Sequence, residues 1–255
     1  MSDEENNISM AIQPNDRDWY NPIDGDPRTL NEMMRNAVGR NNDAKLFGYI
    51  PSKGAPRIHV TFNEFGTLVD SCSRSLRDAG VQKGDRVAMI LNNSIQWAAI
   101  AYATNALGAA YTGMYTHQHG GEWSYIIGDS TPTVIVVADT DVLDRLCEHL
   151  PEESWPVGGV VLVGDEGPNA IPPEGVLVTS WSDFVAAGGQ SEPLGEIEHD
   201  PNALATLLYT SGTTGNPKGV MLSNWNILHN IIVMQGRFPI YKGDRTASFL
   251  PWAHS

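Results

Sequence analysis

From Arg28 onward the chain alternates between two hydrophobic periods. Leu30, Met33, Met34 and Ala37 recur at helical spacing, and residues 45–50 and 57–60 then read as two short strands. The clearest helix follows. Thr61 and Glu64 have capping-box spacing, and Phe65, Leu68, Val69, Cys72 and Leu76 form one apolar stripe that stops at Gly80. After the turn Gly84-Asp85, residues 86–91 form a strand. Ser94 then caps an alanine-rich helix through Leu107, ended by Gly108. The longest apolar stretch, 97–111, contains Thr104 and Asn105 and is shorter than the roughly 20 residues that span a bilayer. It reads as a buried helix. The rhythm continues with strands at 133–137, 159–163 and 175–178, and helices at 122–127, 142–149 and 181–187. Buried strands alternating with amphipathic helices predict an α/β fold with a largely parallel sheet. Residues 188–202, rich in Gly, Glu and Pro, read as a surface linker, and 1–27, polar and without periodicity, as an N-terminal arm.

The 255 residues carry a net charge of −14, from 16 Lys+Arg against 30 Asp+Glu. That argues against nucleic-acid binding, which needs a basic face to displace counterions. It also disfavours adsorption to anionic lipid. Peripheral membrane contact through an apolar patch stays open. Two cysteines, Cys72 and Cys147, are too few for a disulfide framework and point to a reducing compartment. The N-terminus carries Asp3, Glu4 and Glu5 where an export signal carries positive charge, so a cytoplasmic location is expected.

Candidate chemistry concentrates after a strand-like run, 203–209. There Thr210-Ser211-Gly212-Thr213-Thr214-Gly215-Asn216-Pro217-Lys218-Gly219 supplies four hydroxyls, three glycines and one cation before a second apolar run, 220–222. Hydroxyls, close backbone approach and a cation are what a polyphosphate requires. The same residue types also make ordinary hairpin turns. It is not a Walker A loop, because Pro217 precedes Lys218 and Gly219 follows it. Elsewhere, His117-x-His119 lacks a third ligand at metal spacing and reads as solvent-facing loop histidine. Asp139, Asp141 and Asp144 read as a helix start.

Residues Thr210–Gly219 resemble the signature of the adenylate-forming superfamily, which includes acyl-CoA synthetases, aryl-CoA ligases, luciferases and peptide-synthetase adenylation domains. The resemblance extends upstream through Thr61-Phe62, Gly80, Gly84-Asp85-Arg86-Val87, Asn93-Ser94, Trp97 and Gly108. Downstream it includes Phe249-Leu250-Pro251-Trp252-Ala253-His254-Ser255. In this family the downstream segment leads into the acyl pocket. His254 takes the position near the substrate carboxylate, and Trp252 is either an acyl-tunnel wall or an ordinary core residue. The family's His after Gly-Val-Met-Leu-Ser is Asn224 here, which reads as an N-cap for a helix over 225–234.

The resemblance implies an ATP-dependent ligase. A carboxylate attacks the α-phosphorus of ATP, giving an acyl-adenylate and pyrophosphate, and coenzyme A then displaces AMP. Thr210, Ser211, Gly212, Thr213, Thr214 and Gly215 would hold the β- and γ-phosphates and Lys218 would neutralise pyrophosphate. Mg²⁺ would bridge phosphate oxygens with Thr210 available as a ligand, and Lys218 and His254 are the candidate catalytic residues. The motif details look most like long-chain fatty acyl-CoA synthetases. Alternatives are another acyl- or aryl-CoA ligase and a non-catalytic ATP-binding module. On this reading, residues 28–255 are the front of a large N-terminal adenylation domain, with mostly parallel sheets flanked by helices and the small C-terminal domain absent. The expected consequences are a fragment inactive by itself, with an unpaired sheet edge and an exposed apolar face near its C-terminus that favour aggregation.

Overall fold

The computed structural model describes residues 27–50, 54–164, 169–196, 200–210, 216–238, 241 and 243–254. Residues 1–26 of the expected arm lie outside that set. Helix α1 (Leu30–Asn41) starts at Thr29, whose side chain and Glu32 form a reciprocal capping box. Strands β1 (Lys45–Tyr49) and β2 (Ile58–Thr61) pair antiparallel as a separate two-stranded sheet. Helix α2 (Phe62–Asp78) begins at the predicted cap. The backbone N–H of Glu64 donates to Thr61 Oγ1 at 3.2 Å, and that of Thr61 donates to Glu64 Oε2 at 2.8 Å. These bonds to Thr61 hold the Glu64 carboxyl below the usual glutamate range.

The main body alternates β3 (Arg86–Ile90), α3 (Ile95–Ala106), β4 (Ala110–Met114), α4 (Gly120–Ser130), β5 (Val134–Val137) and α5 (Thr140–His149). It continues with β6 (Val160–Leu162), β7 (Val178–Ser180), α6 (Trp181–Gln190), the hairpin β8 (Leu204–Thr210) and β9 (Lys218–Ser223), and α7 (Asn224–Arg237). Strand order in the seven-stranded sheet is β7-β6-β5-β3-β4-β8-β9, parallel throughout except for the β8–β9 pair. The predicted α/β fold with a largely parallel sheet is the one observed.

Successive strand residues face opposite sides, so both faces of the sheet are buried. Val87, Met89, Val134 and Val136 face Phe65, Leu76, Ile100 and Phe184 of α2, α3 and α6. Ala88, Ile90, Ile135 and Val137 face Trp123, Ile127, Leu143 and Leu146 of α4 and α5. The crossover after β3 therefore runs over one face and the crossover after β4 over the other. The two connections part at the carboxyl ends of β3 and β4, the topological switch point at which open α/β sheets bind ligands.

Four expectations need correction. The stretch 97–111 is not one helix: α3 stops at Ala106, Gly108 takes φ +69°, and Ala110–Met114 is strand β4. The Asn105 side chain secures that break by donating to Ala109 O at 3.1 Å and Ala205 O at 2.9 Å. The seventh strand begins at Val178 rather than 175, because Gly175 sits in a turn at φ +91°. The linker does not begin at Gly188, since α6 runs to Gln190 with Gly188 buried against α2. Asn224 is not the cap of α7. Ser223 caps it, in a reciprocal box with Asn226, while Asn224 is buried, accepting from Leu30 N at 3.0 Å and donating to Ala203 O at 3.3 Å.

Among the described residues β9 is an edge strand, with Met221 68% exposed, and on α7 Ile231 and Met234 are exposed as well. This is the unpaired edge and apolar face that the sequence leads one to expect. Both cysteines are free, and no helix among the described residues is long and apolar enough to cross a membrane.

Candidate functional site

The Thr210–Gly219 segment is carried by the β8–β9 hairpin. Its ladder closes on the facing pair Thr210 and Lys218. Both closing residues are exposed. Ser211, Gly212, Thr213, Thr214 and Gly215 lie outside the described residues. The stem beneath the loop is fixed by buried contacts. Tyr209 is 6% exposed, and its hydroxyl donates to Asp129 Oδ2 at 2.5 Å, tying β8 to α4. Burial, followed by that bond and the Asp129 charge, pushes the Tyr209 phenol well above its ordinary range. Gly219 faces Tyr209, and a Cβ there would meet the ring at 3.1 Å; the glycine thus lets the second strand lie flat over the phenol.

A cleft of about 330 Å³ opens at the switch point. It is bordered by residues 91–93 after β3, 115–117 after β4, and the segment 248–253, Phe249 and Trp252 included. Thr116 Oγ1 donates to Asn92 Oδ1 at 3.0 Å, joining the two loops. The loop after β4 is braced from below. The Trp123 indole donates to Tyr115 O at 3.0 Å, the Arg145 guanidinium lies 4.3 Å over the Trp123 ring, and it donates to Thr116 O at 2.9 Å.

Residues Trp252–His254 form a 3-10 turn at the cleft's edge. Asn93 holds the chain leading into it with both ends of its amide: Nδ2 donates to Leu250 O at 2.7 Å and Oδ1 accepts from Trp252 N at 2.8 Å. The Trp252 ring packs edge-on against Trp97 at 5.4 Å, and Trp97 in turn against Tyr111 at 5.4 Å. Ala253 lies directly on β4, where a Cβ on Gly113 would fall 3.1 Å from its Cα. The His254 side chain lies outside the described residues.

Strand β8 runs parallel to β4, with Tyr111 beside Thr206. Thr210 lies as many residues past Thr206 as Tyr115 lies past Tyr111, so the loop and the cleft leave the same end of the sheet. Of the sequence-predicted site, Thr210, Lys218 and the backbone of His254 are thereby located. The sequence reading missed the cleft walls at 91–93 and 115–117; its one signal was the Asn93-Ser94 pair. His119 caps α4, accepting from Gly121 N at 3.1 Å, and His117 is exposed. Among the described residues no group of three or more His, Cys, Asp or Glu is placed to hold a metal ion.

Residues 35–255 match the model of the AMP-binding enzyme family. The chain is 31% identical over 202 residues to a long-chain-fatty-acid–CoA ligase of Mycobacterium tuberculosis, an alignment covering 76% of this chain and 32% of that protein. It is 26% identical over 240 residues to a rat long-chain-fatty-acid–CoA ligase, covering 89% of this chain and 34% of the relative. The chain thus spans about a third of the length of these curated relatives. Among solved structures, a candidate long-chain-fatty-acid CoA ligase from Rhodopseudomonas palustris superposes with a TM-score of 0.73 at 21% identity, over 89% of this chain and 52% of that one. A fatty acid AMP ligase from Legionella pneumophila superposes with a TM-score of 0.62 at 17% identity, over 84% and 34%.

Proposed function

Because the chain belongs to the AMP-binding enzyme family, we propose that it is the front part of an adenylation domain that activates a carboxylic acid with ATP, a long-chain fatty acid in particular. The observation that carries this reading is the exposed Thr210–Lys218 pair at the mouth of the β8–β9 hairpin, on the same end of the sheet as the switch-point cleft. A carboxylate oxygen attacks the α-phosphorus and pyrophosphate leaves. The acyl carbon is then attacked by the thiol of coenzyme A and AMP leaves. Catalysis of the first step requires two anions held together and the charge growing on pyrophosphate stabilised. Lys218 supplies the cation, Thr210 and the loop residues Ser211–Gly215 supply hydroxyls and backbone amides, and His254 stands near the carboxylate. Residues 28–255 would then hold the nucleotide's phosphates and one wall of the acyl site.

Magnesium ion, when bound with ATP, would neutralise phosphate charge, with the Thr210 hydroxyl as its proposed ligand. Among the described residues no acidic cluster accompanies the Thr210 hydroxyl, so those residues do not build a Mg²⁺ site by themselves. The long-chain preference draws on the two fatty-acid ligases of similar sequence. We place the protein in the cytoplasm, able to touch membranes peripherally. Fatty-acid-dependent ATP–pyrophosphate exchange by the whole protein tests the reading: palmitate should stimulate it and acetate or benzoate should not. Stimulation by benzoate or acetate without palmitate contradicts the long-chain assignment.

A further inference from the structure

We propose that Asn93 is the positioning residue of the switch-point cleft, its carboxamide latching the 248–254 segment so that Pro251 and Trp252 form a fixed wall facing an acyl ligand. The segment would otherwise hold its place poorly. Phe249 and Leu250 are 80% and 65% exposed, and among the described residues 245–250 belong to no helix or strand. Asn93 reaches across 157 residues of sequence to Leu250 and 159 to Trp252 and satisfies one carbonyl and one N–H that no regular ladder serves. Its own position is rigid, since it lies three residues past the end of β3 and directly precedes Ser94, whose hydroxyl accepts from Trp97 N at 3.1 Å to cap α3. Trp252 Nε1 donates to Ser248 Oγ at 2.6 Å, which closes the segment on itself, and the Trp97 ring seats it. The amide of Asn93 ties the segment to the chain that follows β3 through two hydrogen bonds.

The latch follows from the geometry; its effect on the ligand rests on the acyl-binding reading proposed above, and the test separates the two. Hydrogen exchange of the full chain, read by mass spectrometry on peptides from 248–254, reports the latch without any ligand. Asn93→Ala removes both bonds and should speed exchange of the Trp252 amide roughly tenfold, while strand β5 is unchanged. Asn93→Asp keeps the acceptor for Trp252 N–H but loses the donor to Leu250 and should give an intermediate increase of roughly threefold. Unchanged exchange in a folded Ala variant overturns the proposal; if that variant does not fold, the Asp variant decides it by the same criterion. The second arm titrates cis-parinaric acid as a fluorescent long-chain probe. Weaker binding by the variant, by about the same factor as the exchange effect, supports the proposal. A loosened segment with undiminished probe affinity overturns the positioning role. If the Ala variant shows the exchange effect but the wild-type chain binds no probe, the acyl reading fails, and with it the ligand half of the proposal, while the latch stands.

Discussion

Adjacent glycines near the end of α6 should respond in opposite directions to the same substitution. A Cβ on Gly188 would lie 1.9 Å from the Ser71 carbonyl oxygen, 2.5 Å from Ser75 Oγ and 2.8 Å from the Ser71 carbonyl carbon. Ordinary contact begins near 3.4 Å, so α6 must withdraw from α2 by about 1.5 Å. The carbonyl cannot yield instead, because it belongs to the interior of α2. Withdrawal would pull Phe184 from the core and break the bond that the Ser75 hydroxyl donates to Phe184 O. Overpacking costs about 1–3 kcal/mol and the lost bond about 1, against a gain of about 0.5–1 for replacing a helical glycine. The net for Gly188→Ala is a loss of about 2–3 kcal/mol, or roughly 5–10 °C in Tm for a domain of this size. At Gly189 the nearest atom to a new Cβ is Ser71 Oγ at 3.8 Å, an ordinary contact. Gly189→Ala should therefore raise Tm by roughly 1–2 °C. Scanning calorimetry of the two variants beside the parent chain checks this. A Gly188→Ala chain as stable as the parent would refute the close approach of α2 and α6.

Other consequences concern the site's supports and one buried thiol. Tyr209→Phe removes the bond to Asp129 and should cost about 1–2 kcal/mol in a urea titration. Asn224→Ala should cost about 1–2 kcal/mol in the same titration, because it strips buried Leu30 N of its acceptor, while Ala203 O keeps the residue-224 backbone N–H. Cys72 is fully buried and its thiol is pushed up by desolvation, so folding favours the neutral form. That stability is present below the unfolded thiol pKa of about 8.5 and is lost progressively as pH rises above it. Between pH 8 and 10 the parent chain's Tm should fall more steeply than that of Cys72→Ala, and the native protein should show a thiol reagent Cys147 but not Cys72.

Much of the scaffold was legible because its signals are local. Thr61 and Glu64 sit within one turn of each other, and the α2 stripe repeats on a helical period. Strand β4 escaped because Ala109, Ala110 and Tyr111 continue the composition of α3; the break is made by Gly108's positive φ and by a bond from Asn105 to Ala205, one hundred residues away. Gly188 looked like linker because a glycine's need for close approach depends on a neighbour, here Ser71, that periodicity does not reveal. Asn224 looked like a cap because Asn favours that position, yet Ser223 one residue earlier competes for it and prevails through its box with Asn226. The proposed phosphate-binding residues are contiguous, so the sequence alone suggests the site from Thr210 to Gly219. The cleft is assembled from three distant segments, 91–93, 115–117 and 248–253, which only the reversal of strand order at β3 and β4 brings together.

The central claim is that the hairpin mouth between Thr210 and Lys218 holds the polyphosphate. Titration of inorganic pyrophosphate into the chain by calorimetry, for the parent and for Lys218→Ala, tests it most directly. Lys218 is exposed, so its removal should leave Tm unchanged. Affinity should fall about tenfold with loss of a charge-assisted contact. A parent chain that does not take up pyrophosphate, or a variant that binds it equally well, contradicts the account.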